Sequence, residues 1–182
     1  MMDRYNQFSD PFESLFFLGL ASENVRISLG TNDRLDSLVM TINDLSLAEA
    51  MELLDQLRDP QQRFIYLVER ARKRMPLPDA YRLDVNRVEG CQVRTWWIGE
   101  IRSHACWFGL DSDAVTLKAL GGFLCEQATS LSLQEQQQFQ ADMLEKWGVL
   151  RQLADNRRAT ILRLASKIRD FASNSGLSRD HG

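Results

Sequence analysis

Asn86-Arg87-Val88-Glu89-Gly90-Cys91-Gln92-Val93-Arg94-Thr95-Trp96 is the stretch on which the reading of this chain turns. It sets a cysteine directly after a glycine, where a polar loop gives way to a run rich in Val, Thr, Trp and Ile over residues 92–101. Such residues suit a pleated, half-buried strand. Arg102-Ser103-His104 reads as a turn and residues 105–110 as a returning strand, so the pair forms an antiparallel hairpin. A cysteine at a loop–strand junction is open to solvent, and the neighbouring Gly90 lets another backbone or thiol come close. Cys106 falls inside the second strand and Cys125 inside an apolar helix, so both read as core residues. Cys91 is therefore the first candidate for chemistry.

Outward from the hairpin the signals are helical. Ser46-Leu47-Ala48-Glu49 is a capping box, followed by Leu47, Met51, Leu54 and Leu57 at helical spacing. Asp59-Pro60 starts a second helix with the stripe Phe64, Leu67, Val68 and Ala71, and Met75-Pro76-Leu77-Pro78 stops it. On the other side, Asp111 or Ser112 is expected to cap a helix carrying Leu117, Leu120, Phe123 and Leu124, which puts Asp113 in its first turn. The helix dipole favours a carboxylate there. Ser132-Leu133-Gln134-Glu135 is a second capping box, expected to open a helix running to about Lys146. Asp155-Asn156 is expected to cap the last helix, with Ile161, Leu164, Ile168 and Phe171 on one face. Before residue 46, Val25–Leu29 and Leu38–Ile42 read as the two strands of a small hairpin around 30–33. The expected fold is α+β: a small antiparallel sheet of about three strands with helices packed on it. The expected organisation is an N-terminal extension over 1–45, a domain over 46–173 and a flexible polar tail over 174–182.

Composition excludes several classes. The chain has 182 residues, 44% hydrophobic and 26% charged, which suits a folded domain with a core. The net charge is −3 and the 22 basic residues are scattered, so there is no footprint of a nucleic-acid binder. Three cysteines, an odd number without CxxC or Cys/His ligand spacing, indicate reduced thiols rather than a disulfide framework. His104 and His181 add no ligand spacing. The acidic N-terminus, with Asp3, Asp10 and Glu13, is unlike a signal peptide, and no apolar run reaches membrane-spanning length. The expected location is the cytoplasm, without contact to a membrane.

The chain resembles the SufE family of cysteine desulfuration proteins, which includes CsdE. The family's Asn-x-Val-x-Gly-Cys-Gln-x-x-x-Trp pattern is met at residues 86–96, and its Asp-Ser-Asp-Ala segment at 111–114. The stretch from Phe139 through Glu145-Lys146 to Leu150, then Leu153 and Arg157, follows the family's C-terminal half. The resemblance covers about residues 47–172. The chain departs from the pattern at Val93, usually polar, and at Ala154-Asp155-Asn156-Arg157-Arg158, where only the Arg of a Thr/Ser-Pro-Ser/Thr-Arg-Ser segment survives. Thr160 also stands where the family carries Gly.

The resemblance implies an IscU-like fold and a single essential cysteine, here Cys91. That cysteine takes a persulfide from a pyridoxal-phosphate cysteine desulfurase (SufS- or CsdA-like) and passes it to an iron–sulfur scaffold or another sulfur recipient. The pyridoxal phosphate belongs to the desulfurase, and this chain is expected to need no cofactor or metal of its own. Gly90, Gln92, Trp96, Asp113 and Arg157 are the expected docking residues around the thiol. Adjacent strand positions face opposite ways, so of Trp96 and Trp97 one is core and the other covers the cysteine loop or meets a partner. Two alternatives stay open: a non-catalytic module that regulates a desulfurase through its surface, and a cluster scaffold. A homodimer stays open as well.

Overall fold

A computed structural model describes residues 45–102 and 105–176. The expected N-terminal hairpin, the turn residues Ser103 and His104, and the last six residues of the tail lie outside them. Helices α1 (Leu47–Gln56) and α2 (Pro60–Lys73) come first. Two 3-10 turns follow at Asp79–Tyr81 and Asp84–Asn86, then strands β1 (Thr95–Arg102) and β2 (Ala105–Ser112). Helices α3 (Val115–Ser130), α4 (Leu133–Gln136) and α5 (Asp142–Lys146) lead through a 3-10 turn to α6 (Asp155–Asn174). This is an α+β fold in which helices pack on a small antiparallel sheet. Among the described residues the sheet has two strands, and an isolated antiparallel bridge between Arg87 and Trp96 extends it at one corner.

The starts of α1 and α2 follow from local chemistry. The Ser46–Glu49 capping box closes as expected, and the Asp59 carboxylate accepts the Gln61 N–H at 3.0 Å behind Pro60. α3 is buried nearly all round, from Thr116 to Ala128, as the central helix of a fold must be. It lies against β2, α2 and α6. Gly121 permits this, because a Cβ there would come within 2.9 Å of Leu110 on β2 and 3.2 Å of Leu164 on α6. On the helical face of the sheet, Trp97 stacks on Phe108 at 6.1 Å, and Phe171 of α6 closes over both. The opposite face is covered by the segment after α2: Leu77 faces Gly109, and Arg82 lies over the Trp96 ring.

Four expected boundaries move, two of them because a polar side chain, Asp111 or Gln136, finds a tertiary partner. β1 begins at Thr95 rather than Gln92, since Val88 N–H bonds to Thr95 O at 2.8 Å and closes residues 89–94 into a loop. β2 runs on to Ser112, and α3 starts at Val115 with Ala114 as its cap residue. Asp111 cannot cap that helix because its carboxylate is buried among Arg82, Lys118 and the Leu77 N–H. The helix expected from Ser132 to Lys146 is two short ones, α4 and α5. Gln136 is wholly buried, and its amide reaches the Ala128 carbonyl at 2.8 Å and the Cys106 carbonyl at 3.0 Å, which turns the chain inward. Ala154, not Asp155 or Asn156, is the cap residue of α6, and Asp155 sits in the first turn. Among the described residues no helix is long and apolar enough to cross a membrane.

Candidate functional site

The cysteine loop is held at its base and from two sides. At the base are the Val88–Thr95 hydrogen bond and the Arg87–Trp96 bridge. Gly90 adopts φ of 68°, a left-handed turn that a side chain would strain. From α6, the Arg163 guanidinium donates to Gly90 O and to Thr160 Oγ1, each at 3.2 Å, and Asn156 donates to the Gln92 side-chain oxygen at 3.2 Å. Thr160 and Arg163 lie three apart on one helix face, so a single clamp spans both. From the end of β2, the Asp113 N–H bonds to Arg94 O at 3.0 Å, and their side chains form an ion pair at 2.7 Å.

Cys91 lies within this loop, four residues before the strand, half-buried and free. Its Sγ is 3.4 Å from Thr95 Oγ1. The other two thiols are buried. Burial pushes the Cys125 thiol up to about 12, with Arg74 and the Trp97 indole offsetting only part of it. Burial also raises Cys106, against a smaller opposing hydrogen bond from Ser175. Both stay protonated and unreactive at neutral pH. Among the described residues no three His, Cys, Asp or Glu side chains converge as metal ligands.

The expected docking residues divide. Gly90, Gln92 and Asp113 are exposed around the thiol. Asp113 precedes α3 instead of lying in its first turn, and its carboxylate serves Arg94. Trp96 is 6% exposed, with Arg82 and Arg94 at 5.4 and 5.8 Å from its ring centre, so in this conformation it presents no surface to a partner. Arg157 is 7% exposed and donates to Thr116 Oγ1 at 3.3 Å, tying α6 to α3. An arginine reads as surface charge in a sequence, and only the packing of α6 on α3 reveals this one as internal. Thr95, Ser112, Asn156 and Arg163 were not among the expected site residues. Thr95 and Ser112 face each other in the hairpin register. A two-residue turn at 103–104 would have given that pairing; the contacts from α6 have no local signal.

Limited alkylation of the native protein is expected to label Cys91 before Cys106 and Cys125, as peptide mapping of the first modified species would show. Arg163→Ala removes the clamp on Gly90 O, so the 89–94 amides exchange hydrogen faster than in the native protein, while the amides of α3 keep their protection. Unchanged exchange in the loop would mean that Arg163 holds nothing.

A family model described as SufE, Fe-S metabolism associated domain, matches residues 48–172. A comparison with curated proteins gives no match. The matched span runs from α1 to near the end of α6 and contains the whole cysteine loop with the elements that hold it. The chain belongs to the SufE family, whose domain is associated with iron–sulfur metabolism.

Proposed function

We propose that the chain accepts sulfur on Cys91 from a pyridoxal-phosphate cysteine desulfurase and passes it towards iron–sulfur cluster assembly. The observation that supports this most is the contrast among the three thiols. Cys91 alone is partly exposed, on a loop with a left-handed glycine, while the other two are buried and held protonated. The step is a thiol–disulfide exchange. The Cys91 thiolate attacks the outer sulfur of the desulfurase persulfide, R–S–SH, and a bond forms between Sγ and that sulfur. The donor's S–S bond breaks and its cysteine leaves as R–S⁻. Cys91 then carries Cys–S–SH, with no net oxidation and no need for a metal or cofactor on this chain. The pyridoxal phosphate stays with the partner.

Docking is proposed to use the exposed rim of Gly90, Gln92 and Asp113. Trp96 and Arg157 would support the loop from beneath, and residues 46–173 would form the acceptor domain. Cys106, Cys125 and the scattered acidic groups supply no cluster-binding arrangement, so a scaffold role has no support among the described residues.

The test is alanine production by such a desulfurase from L-cysteine, with and without the full chain. Stimulation by the chain is expected. A desulfurase rate that ignores the chain at any concentration would sink the reading for that partner class.

A further inference from the structure

Behind Cys91 lies a short chain of hydroxyls that the sulfur-transfer reading does not itself require. Thr95 is 1% exposed and Ser112 is 8% exposed, so their hydroxyls depend on protein partners. Thr95 Oγ1 lies 3.4 Å from Cys91 Sγ, 2.8 Å from Ser112 Oγ and 3.2 Å from Val93 O. Ser112 Oγ in turn accepts the Ala114 N–H at 3.2 Å and lies 3.2 Å from Arg94 O. We propose that Thr95, backed by Ser112, is a positioning residue that holds the Cys91 thiolate. This rests on the reading of Cys91 as the sulfur acceptor.

The proton count allows it. Each hydroxyl has one proton and two lone pairs. With a neutral thiol, Cys91 S–H and Ser112 O–H both donate to Thr95 Oγ1, and Thr95 O–H donates to Val93 O. When the thiol loses its proton to solvent, which the half-exposed site admits, one rotation suffices. Thr95 O–H swings from Val93 O to the sulfur. The bonds then run in one direction: Ala114 N–H to Ser112 Oγ, Ser112 O–H to Thr95 Oγ1, Thr95 O–H to S⁻. The series starts at a backbone N–H, which cannot accept, so every member polarises the next towards the sulfur. Arg94 O is not orphaned, because the Asp113 N–H holds it. No member is an acid or base, so the negative charge stays on sulfur. The same bond serves Cys91 twice: as the attacking thiolate, and as the leaving thiolate when the outer sulfur moves on.

The charged groups around the loop include Arg163 from α6, Glu89 in the loop, and at its base Arg94 with Asp113 and Arg87 with Asp84. Asp111 stands behind Ser112 and is paired with Arg82 and Lys118. Thr95→Val alters none of these and keeps the side chain's shape. The test reads the rate at which a small aromatic disulfide modifies Cys91 across the neutral and alkaline range, in the full chain and in Thr95→Val, Thr95→Ser and Ser112→Ala.

For Thr95→Val the inflection is expected to move up by about one pH unit. A more basic thiolate is also a better nucleophile, so the two limbs should separate. The rate falls about threefold below the inflection and rises about threefold on the plateau. Thr95→Ser keeps the native profile, and Ser112→Ala moves the inflection up by less. A Thr95→Val profile that overlays the native one, or that falls on both limbs without rescue by Thr95→Ser, overturns the proposal. If Thr95→Val does not fold, an unmoved inflection in Ser112→Ala overturns it instead. The desulfurase takes no part in this assay. A shifted profile in a chain that accepts no sulfur would refute the sulfur-acceptor reading and leave the hydroxyl series standing.

Discussion

Cys91→Ser is expected to leave a folded protein that accepts no sulfur. The side chain is half-buried in a surface loop, and its polar contact among the described residues, to Thr95 Oγ1 at 3.4 Å, is one that a serine hydroxyl can also make. The loop itself is held by bonds that do not involve the sulfur: Val88 to Thr95, Arg163 to Gly90, Asn156 to Gln92, and Asp113 to Arg94. Stability should therefore change by no more than about 0.5 kcal/mol. Chemistry should vanish, because a serine hydroxyl is not ionised near neutral pH and cannot displace a thiolate from a persulfide. Thermal unfolding and sulfur loading measured on the same sample separate the two effects. A large stability loss would make Cys91 a structural residue. Full stimulation of the desulfurase by the serine variant would point to a regulatory module that acts through its surface alone.

Asp111→Ala should have the largest effect on stability, about 3–5 kcal/mol in chemical denaturation. The carboxylate is 1% exposed at the end of β2, where it accepts from Arg82, from the Leu77 N–H at 3.2 Å and from the Ser112 N–H at 2.9 Å, and pairs with Lys118 at 3.2 Å. Removing it takes this acceptor from two cations and from the Leu77 and Ser112 N–H groups, and frees the segment that covers the outer face of the sheet. Burial by itself would raise the pKa of this carboxyl. Hydrogen bonds from Arg82 and Lys118, and the Lys118 charge, outweigh burial and hold it below the usual aspartate range. The sign follows from linkage. The folded-state pKa is depressed, so the stabilisation is present above the unfolded value of about 4 and is lost as pH falls through the folded pKa. Wild-type stability should thus decline in acid more steeply than that of Asp111→Asn. Identical acid limbs in the two proteins would show that Asp111 is not ionised in the fold.

Local chemistry made much of the fold legible. The Ser46 and Ser132 capping boxes, the Asp59-Pro60 start and the hairpin around 102–105 depend on residues within a few positions of one another, and each forms where the sequence puts it. Two of the misplaced boundaries trace to polar side chains with tertiary partners. Asp111 and Gln136 look like a cap and a mid-helix residue because nothing nearby says that Lys118, Arg82 or the Cys106 carbonyl will claim them. The site divides in the same way. Cys91 stands out in sequence because Gly90 and the change in composition mark it. The residues that hold it do not, since Arg163 and Asn156 reach it from a helix more than sixty positions away. Trp96 and Arg157 show the converse, with side chains that suggest a surface and are packed inside.

Locating the transferred sulfur atom decides whether Cys91 is the acceptor. The full chain is incubated with a pyridoxal-phosphate cysteine desulfurase and L-cysteine, its thiols and persulfides are blocked, and it is digested without reductant and mapped by mass. The result expected is the mass of one added sulfur on the peptide containing Cys91, and none on those containing Cys106 or Cys125. Sulfur on either of the buried cysteines with Cys91 unmodified would mean that Cys91 is not the acceptor.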